Sequence, residues 1–161
     1  ADKETIQYFA SRYFNAHDMY FIGRNVDYAA SLEASLKLKE ISYIHSEAYT
    51  AGELKHGPIS LLEDGTLVIA IATYEKLFDK MMSNVREVKA RGAVVLGITV
   101  RGKEEALKQE TDYQFCVPDI TDFMLPSLSI LPLQLFAYYV ASMKGCDIDK
   151  PRNLAKSVTV E

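Results

Sequence analysis

The chain has 161 residues, a length that suits one domain burying about 70% of the surface its unfolded chain would expose. Hydrophobic residues make up 48% and charged residues 25%, which excludes a disordered or collagen-like protein. The net charge is -4 and the pI is near 5.4, which argues against nucleic-acid binding because phosphate contacts need a basic surface.

Four runs of apolar residues predict buried strands of a parallel sheet. Between and after them, residue patterns rich in Leu, Ala, Lys and Glu predict helices, and Gly92 and Gly145 are suitable helix-terminating residues. The predicted strands are residues 18–23, 67–72, 93–99 and 113–117, and the predicted helices are residues 29–44, 75–91 and a last helix from near Pro126 or Pro132 to Lys144.

Residues 123–143 carry no charge over a length of 21 residues, which is about the length of a membrane span. Two prolines and several polar side chains make this segment a poor span. Its apolar stripe of Leu133, Phe136, Val140 and Met143 is instead typical of a helix that is buried or lies at an interface between subunits. We therefore expect no membrane insertion.

Strands that alternate with helices predict an α/β fold. We expect a three-layer α/β/α sandwich with a mostly parallel, roughly five-stranded sheet, formed by residues 1–161 as a single domain. Ligands in such folds bind beyond the carboxyl ends of the strands. The loops after Gly23, Ala72, Thr99 and Val117 are therefore the first places to expect a site.

The cysteines and the N-terminus both bear on the cellular compartment. Cys116 and Cys146 are too few for a disulfide framework or a zinc cluster, so we expect both to be reduced and to serve as small core residues. Residues 1–5 are charged and lead into no long apolar stretch, so no signal peptide is recognisable. Together these features predict a cytoplasmic protein.

Glu33, Lys37 and Glu40 recur at spacings of four and three, so they lie on one face of the first predicted helix. Periodicity alone favours a solvated charged face, in which a Glu33–Lys37 ion pair is worth about 0.3–0.5 kcal/mol. A catalytic role for this face needs a further signal.

The segment 46–58 begins extended and then becomes helix-like. Thr50 and Glu53 have the spacing of a capping box, and His56 precedes Gly57 and Pro58 at the end of the turn. Histidine can transfer a proton in either direction near neutral pH, although a lone histidine is more often structural. His17 and His45 are weaker candidates.

The C-terminal tail, residues 147–161, contains a proline, a potential helical turn and a Val158/Val160 alternation. Such a tail can pack against the body of the domain and present Lys156 to a cleft. A desolvated lysine forms a Schiff base with a carbonyl substrate. The alternative is an ordinary solvated lysine.

Three stretches together resemble the C-terminal part of the glutamine–fructose-6-phosphate aminotransferases, which are also called glucosamine-6-phosphate synthases. They are KLKEISYIH at 37–45, EAYTAGELKHGP at 47–58 and PRNLAKSVTVE at 151–161. The resemblance covers essentially the whole chain. It implies the second of two sugar isomerase (SIS) subdomains, with a flavodoxin-like fold, in the isomerase half of the enzyme.

The resemblance also implies roles for individual residues. Lys156 would form a Schiff base with C2 of fructose 6-phosphate, and Glu40 would move the proton between C1 and C2. His56 would assist ring opening from the neighbouring subunit, which requires at least a homodimer. Lys37 would support Glu40 or the sugar hydroxyls, and the backbone of Ala155 would lie beside the sugar. The product would be glucosamine 6-phosphate, and no metal or organic cofactor is implied.

Two parts of that enzyme have no counterpart here. We find neither the glutaminase domain with its N-terminal cysteine nor the Ser/Thr-rich loop that grips the sugar phosphate, so we expect a fragment with weak or absent turnover on its own. Three readings remain open: the synthase, a fructosamine-6-phosphate deglycase or other phosphosugar isomerase, and a non-catalytic sugar-phosphate sensor. A sensor would usually be paired with a basic helix-turn-helix, which this sequence lacks.

Overall fold

The computed structural model describes residues 3–154. Ala155 and Lys156, and with them the last part of the tail, lie outside the described residues. The helices are α1 (Lys3–Tyr13), α2 (Val26–Ser42), α3 (Phe78–Lys89), α4 (Glu104–Lys108) and α5 (Leu125–Met143), and the strands are β1 (Asp18–Gly23), β2 (His45–Thr50), β3 (Leu67–Ala72), β4 (Val94–Val100) and β5 (Tyr113–Val117).

The five strands form one sheet in the order β2-β1-β3-β4-β5, and all pairs are parallel. Alternate side chains of the strands enter two apolar clusters on opposite faces. Helices α1, α2 and α5 cover one face, while α3, α4 and the 3-10 helix Ala51–His56 cover the other. The predicted three-layer α/β/α sandwich is confirmed.

Three of the predicted strands have the predicted bounds, and β4 is displaced by one residue. The extended start of segment 46–58 is β2, which completes the sheet. Two helices, α1 and α4, were not predicted. The buried residues Ile6, Phe9 and Ala10 of α1 fall on one face of an otherwise polar segment, and α4 has five residues, so both give weak periodic signals.

Some local predictions were wrong. Thr50 precedes the 3-10 helix but makes no side-chain capping hydrogen bond, so the predicted capping box is absent. The predicted helix 75–91 is present as α3, but its first turn, Glu75–Leu77, is a 3-10 helix. In α5, Leu133, Phe136 and Val140 are buried as predicted, but Met143 is 40% exposed because the helix ends there.

Helix α5 is, within residues 3–154, the one helix long and apolar enough to span a bilayer by length and composition, with a mean hydropathy of 1.2. Its buried side chains belong to the cluster shared with α1, α2 and the sheet. Packing in the protein core therefore accounts for the apolar sequence of α5.

The turn between β1 and α2 brings the helix close to the end of the strand. A Cβ at Gly23 would lie 2.4 Å from the backbone carbonyl carbon of Asp27, so no larger residue fits there without a shift. Asn25 follows in a backbone conformation with φ 53° and ψ -122°, which is costly for any residue with a side chain.

We expect Asn25→Gly to raise the free energy of unfolding by about 1 kcal/mol. Glycine relieves backbone strain of roughly 1–3 kcal/mol and loses part of that gain to its larger unfolded-state entropy. Urea unfolding measures the difference. Asn25→Ala keeps a Cβ in the strained conformation and is the control, and a gain in that variant as well would contradict the backbone explanation.

Asp27 fastens the loop after β3 to the start of α2. The carboxylate is 2% exposed, and its Oδ2 accepts hydrogen bonds from the backbone N–H groups of Thr73 (2.9 Å) and Tyr74 (3.0 Å), while Oδ1 accepts one from the Thr73 hydroxyl. Burial raises the pKa of Asp27 from 3.8 to about 6, against the opposing effect of these hydrogen bonds.

This raised pKa makes the unfolding free energy depend on pH. The folded state holds the Asp27 proton more tightly than the unfolded state, so the contribution is fully present below about pH 4 and is lost as the pH rises through 6. The shift corresponds to about 2–3 kcal/mol. Asp27→Asn provides the comparison, since its amide oxygen can accept both backbone N–H groups and its NH2 can donate to Thr73.

We expect the unfolding free energy of the wild-type chain to fall by about 2–3 kcal/mol relative to Asp27→Asn between pH 4 and 7. Urea unfolding at a series of pH values measures it. Two parallel curves would show that Asp27 does not titrate in this range.

Candidate functional site

The acidic and basic side chains predicted to share one face of α2 do so. Lys37 Nζ lies 2.8 Å from Glu40 Oε2 and 3.6 Å from Glu33 Oε1. The Glu40 side chain is 26% exposed and the Glu33 side chain 47% exposed. The Glu33–Lys37 ion pair that periodicity favoured is present, and Lys37–Glu40 is the closer of the two pairs.

The hydrogen bond to Glu40 raises the pKa of Lys37 above its ordinary value, with the charges of Glu40 and Glu33 adding to the effect. Lys37 is thus held as an ammonium at neutral pH. An ammonium is not a nucleophile, so Lys37 is unsuited to form a Schiff base and well suited to orient a carboxylate. Any amine that attacks a carbonyl must come from elsewhere.

Glu40 borders a cavity of about 330 Å³ between the C-terminal end of α2 and the tail. The tail segment Arg152, Asn153 and Leu154 forms its other wall. The cavity is lined by Leu36, Lys39, Glu40, Tyr43, Arg152, Asn153 and Leu154. The structure thus brings the tail, which sequence reasoning singled out separately, to the carboxylate on α2.

Tyr43 makes the contact between the end of α2 and the tail. Its hydroxyl accepts a hydrogen bond from the backbone N–H of Arg152 at 2.9 Å, and the Arg152 guanidinium carbon lies 4.1 Å from the centre of the Tyr43 ring. Sequence reasoning missed Tyr43. It ends α2 in the left-handed conformation, with φ 61°, where glycine or asparagine is the usual residue, so no sequence signal distinguished it.

His56 is the last residue of the 3-10 helix Ala51–His56 and is exposed, as predicted for the end of a turn. It does not lie beside Glu40 within one chain. Glu40 is near the amino end of β2, and His56 follows the carboxyl end of that six-residue strand, which spans roughly 20 Å. The two residues therefore lie at opposite edges of the sheet.

The Glu40 cavity does not lie at the carboxyl ends of the strands, where α/β folds of this type usually bind ligands. Helices α2 and α5 both run back from the carboxyl ends of the strands, so Glu40 and the tail meet near the amino ends. The loops after Gly23, Ala72, Thr99 and Val117 lie at the other edge. Glu40 and Lys37 therefore lie away from the loops in which the fold rule places a site, and their catalytic roles stay predictions.

His17 and His45 share a different partner. Their Nδ1 atoms lie 2.6 Å and 2.8 Å from the two oxygens of Asp18. The hydrogen bond from His17 holds the pKa of Asp18 below its usual value. His17 and Asp18 border a cavity of about 480 Å³ that also carries Glu63 and Asp64, and these carboxylates disfavour a phosphate ester.

Within residues 3–154, no group of three or more His, Cys, Asp or Glu side chains is arranged to hold a metal ion. The chemistry that these residues can perform is proton transfer by an oriented carboxylate beside an ammonium.

Five parallel strands between two helical layers define a doubly wound α/β domain, and the sequence comparison identifies its family. The SIS domain model matches residues 12–144, and the chain belongs to this family.

Within the family, the chain is similar to glutamine–fructose-6-phosphate aminotransferases. It is 58% identical over 160 residues to the enzyme of Caldanaerobacter subterraneus and 55% identical over 161 residues to that of Clostridium acetobutylicum. The alignments cover 99% and 100% of this chain but 26% of each relative. The chain therefore spans about a quarter of the length of these relatives.

Solved structures agree. The C-terminal domain of glucosamine-fructose-6-phosphate aminotransferase from Francisella tularensis matches with a TM-score of 0.88 and 36% identity, over 92% of this chain and 42% of that one. A glucosamine-6-phosphate deaminase from Thermotoga maritima matches with a TM-score of 0.72 and 28% identity, over 97% of this chain and 46% of that one.

Proposed function

We propose that this chain is the second SIS subdomain in the isomerase half of a glutamine–fructose-6-phosphate aminotransferase. In that enzyme it would help to convert fructose 6-phosphate and ammonia derived from glutamine into glucosamine 6-phosphate. The observation that carries the proposal is the cavity in which Glu40 faces the tail segment that leads to Lys156. The identity to relatives with this named activity supports it.

The first chemical step requires a neutral amine. The Lys156 amine adds to the C2 carbonyl of the opened sugar and water leaves, which gives a Schiff base. Lys156 follows Leu154 by two residues, so its Cα lies within about 7 Å of the Leu154 Cα. Leu154 lines the Glu40 cavity, so this reach supports a Lys156 amine acting close to Glu40. The Ala155 backbone is adjacent by sequence and would border the sugar.

The second step is proton transfer. After ammonia replaces the lysine at C2, Glu40 removes the proton from C1 and returns it to C2, which produces the aldehyde at C1 and the amine at C2. Lys37 holds one oxygen of Glu40 at 2.8 Å, which orients the carboxylate for this task.

His56 would open the sugar ring in the site of a neighbouring subunit. His56 is exposed and lies at the edge of the sheet opposite Glu40 of the same chain. This position supports the assignment, because His56 would meet the Glu40 of a different subunit and not its own. Exposed apolar side chains on α2 and α5 also favour a homodimer, which buries such surface. They are Leu32, Leu36, Leu131, Leu135 and Tyr138. The net charge of -4 and the core position of α5 favour a cytoplasmic protein with no nucleic-acid or membrane partner.

The similarity to the Thermotoga deaminase favours a second candidate, an enzyme that removes the amine from an amino sugar phosphate or isomerises a sugar phosphate without ammonia. Product analysis separates the candidates. A chain extended by the preceding region of the Caldanaerobacter relative is incubated with fructose 6-phosphate, with and without ammonia. Glucosamine 6-phosphate that forms only with ammonia, without release of ammonia from added glucosamine 6-phosphate, supports the synthase. Ammonia release from added glucosamine 6-phosphate, or a product formed from fructose 6-phosphate without ammonia, supports the second candidate.

A further inference from the structure

We infer that Tyr43 is a positioning residue that latches the C-terminal tail over the Glu40 cavity. This inference rests on the proposed function, in which the tail delivers Lys156 to the sugar. Tyr43 and Arg152 together form the Tyr43 latch.

The Tyr43 latch makes two separable contacts. The hydroxyl accepts a hydrogen bond from the Arg152 backbone N–H at 2.9 Å, and the ring faces the Arg152 guanidinium at 4.1 Å. The first contact uses main chain of the tail and the second uses its side chain. Each can therefore be removed without the other, by Tyr43→Phe and by Arg152→Ala.

The backbone of Tyr43 supports a role beyond packing. A tyrosine at φ 61° is strained, and such strain persists where the surrounding structure fixes it. The same left-handed geometry ends α2, with the Tyr43 N–H donating to the Lys39 carbonyl at 3.2 Å. The side chain that follows this turn borders the same cavity as Glu40.

The Tyr43 latch holds the tail only a few residues before Lys156. Arg152 is four residues before Lys156, so freeing Arg152 adds rotatable backbone between the body of the domain and the amine. Each residue released gains backbone freedom that must be lost again when Lys156 meets the sugar. Loss of the latch should therefore slow imine formation and leave the folded domain unchanged.

The direct test is amide exchange of Arg152 in this chain. We expect Tyr43→Phe to accelerate exchange of the Arg152 N–H about fivefold, the effect of losing one ordinary hydrogen bond. Tyr28→Phe removes a hydroxyl at the other end of α2 and is the matched control. Unchanged Arg152 exchange in Tyr43→Phe would overturn the latch.

The functional readout is the rate of borohydride trapping at Lys156 with fructose 6-phosphate, in the chain extended by the preceding region of the Caldanaerobacter relative. We expect Tyr43→Phe and Arg152→Ala each to slow trapping about two- to fivefold, without a change in melting temperature. Equal trapping rates in all variants would overturn the latch. Failure of the proposed function is distinguishable, because the total sugar adduct on the protein would then be the same in Lys156→Ala as in the unaltered chain.

Discussion

Replacing Lys156 with alanine is expected to abolish the borohydride-trapped adduct with fructose 6-phosphate and to leave the domain folded. The amine is the group that bonds to C2, and Lys37 is unsuited to replace it because Glu40 holds it as an ammonium. The mass gain of the intact protein after reduction measures the effect.

Lys150→Ala is the matched control, because Lys150 is an exposed lysine of the same tail. It should trap the sugar as the unaltered chain does. An adduct that persists in Lys156→Ala would remove the Schiff-base assignment. Circular dichroism of both variants checks that the fold is intact.

Replacing Glu40 with glutamine is expected to slow proton transfer between C1 and C2 by about 10²–10⁴-fold. Glutamine fills nearly the same space but cannot accept the proton. Imine trapping at Lys156 should continue, since Glu40 acts after the imine forms. Incorporation of deuterium from solvent at C2 of glucosamine 6-phosphate, with ammonia present, measures proton transfer in the extended chain.

Glu33→Gln gives a demanding control for that result. Glu33 contacts the same Lys37 ammonium, at 3.6 Å against 2.8 Å for Glu40, and is more exposed. Loss of an exposed ion-pair partner changes little, so the Glu33 variant should exchange deuterium within about twofold of the unaltered chain. Equal losses in both variants would assign the effect to Lys37 or to the charge of the face.

The fold was predictable because its signals are local and repeated. Buried parallel strands are continuous apolar runs, and β1, β3 and β5 were located to the residue from such runs. The edge strand β2 mixes charged and polar residues, HSEAYT, and gave a weaker signal. Helix α4 has five residues, too few for a period to register.

The site was predictable in part. Spacing placed Lys37 and Glu40 on one face of α2, but periodicity did not reveal which carboxylate lies closer to the ammonium. The contact between Tyr43 and Arg152 joins residues 109 positions apart, and no local pattern encodes it. The roles of Glu40, His56 and Lys156 came from the family resemblance, and they stay predictions.

The separation of Glu40 and His56 follows from handedness and strand direction. A right-handed connection returns α2 along the strands, so residues at its end lie at the amino edge of the sheet, while residues after β2 lie at the carboxyl edge. Glu40 and His56 are close in sequence, but β2 lies between them and runs from the amino edge of the sheet to its carboxyl edge.

The most direct test of the account is borohydride trapping with fructose 6-phosphate followed by peptide mass mapping. It is made first on this chain and then on the chain extended by the preceding region of the Caldanaerobacter relative. The account predicts a single reduced adduct on Lys156, at least in the extended chain. Adducts scattered over surface lysines, or none on Lys156 in the extended chain, would contradict it.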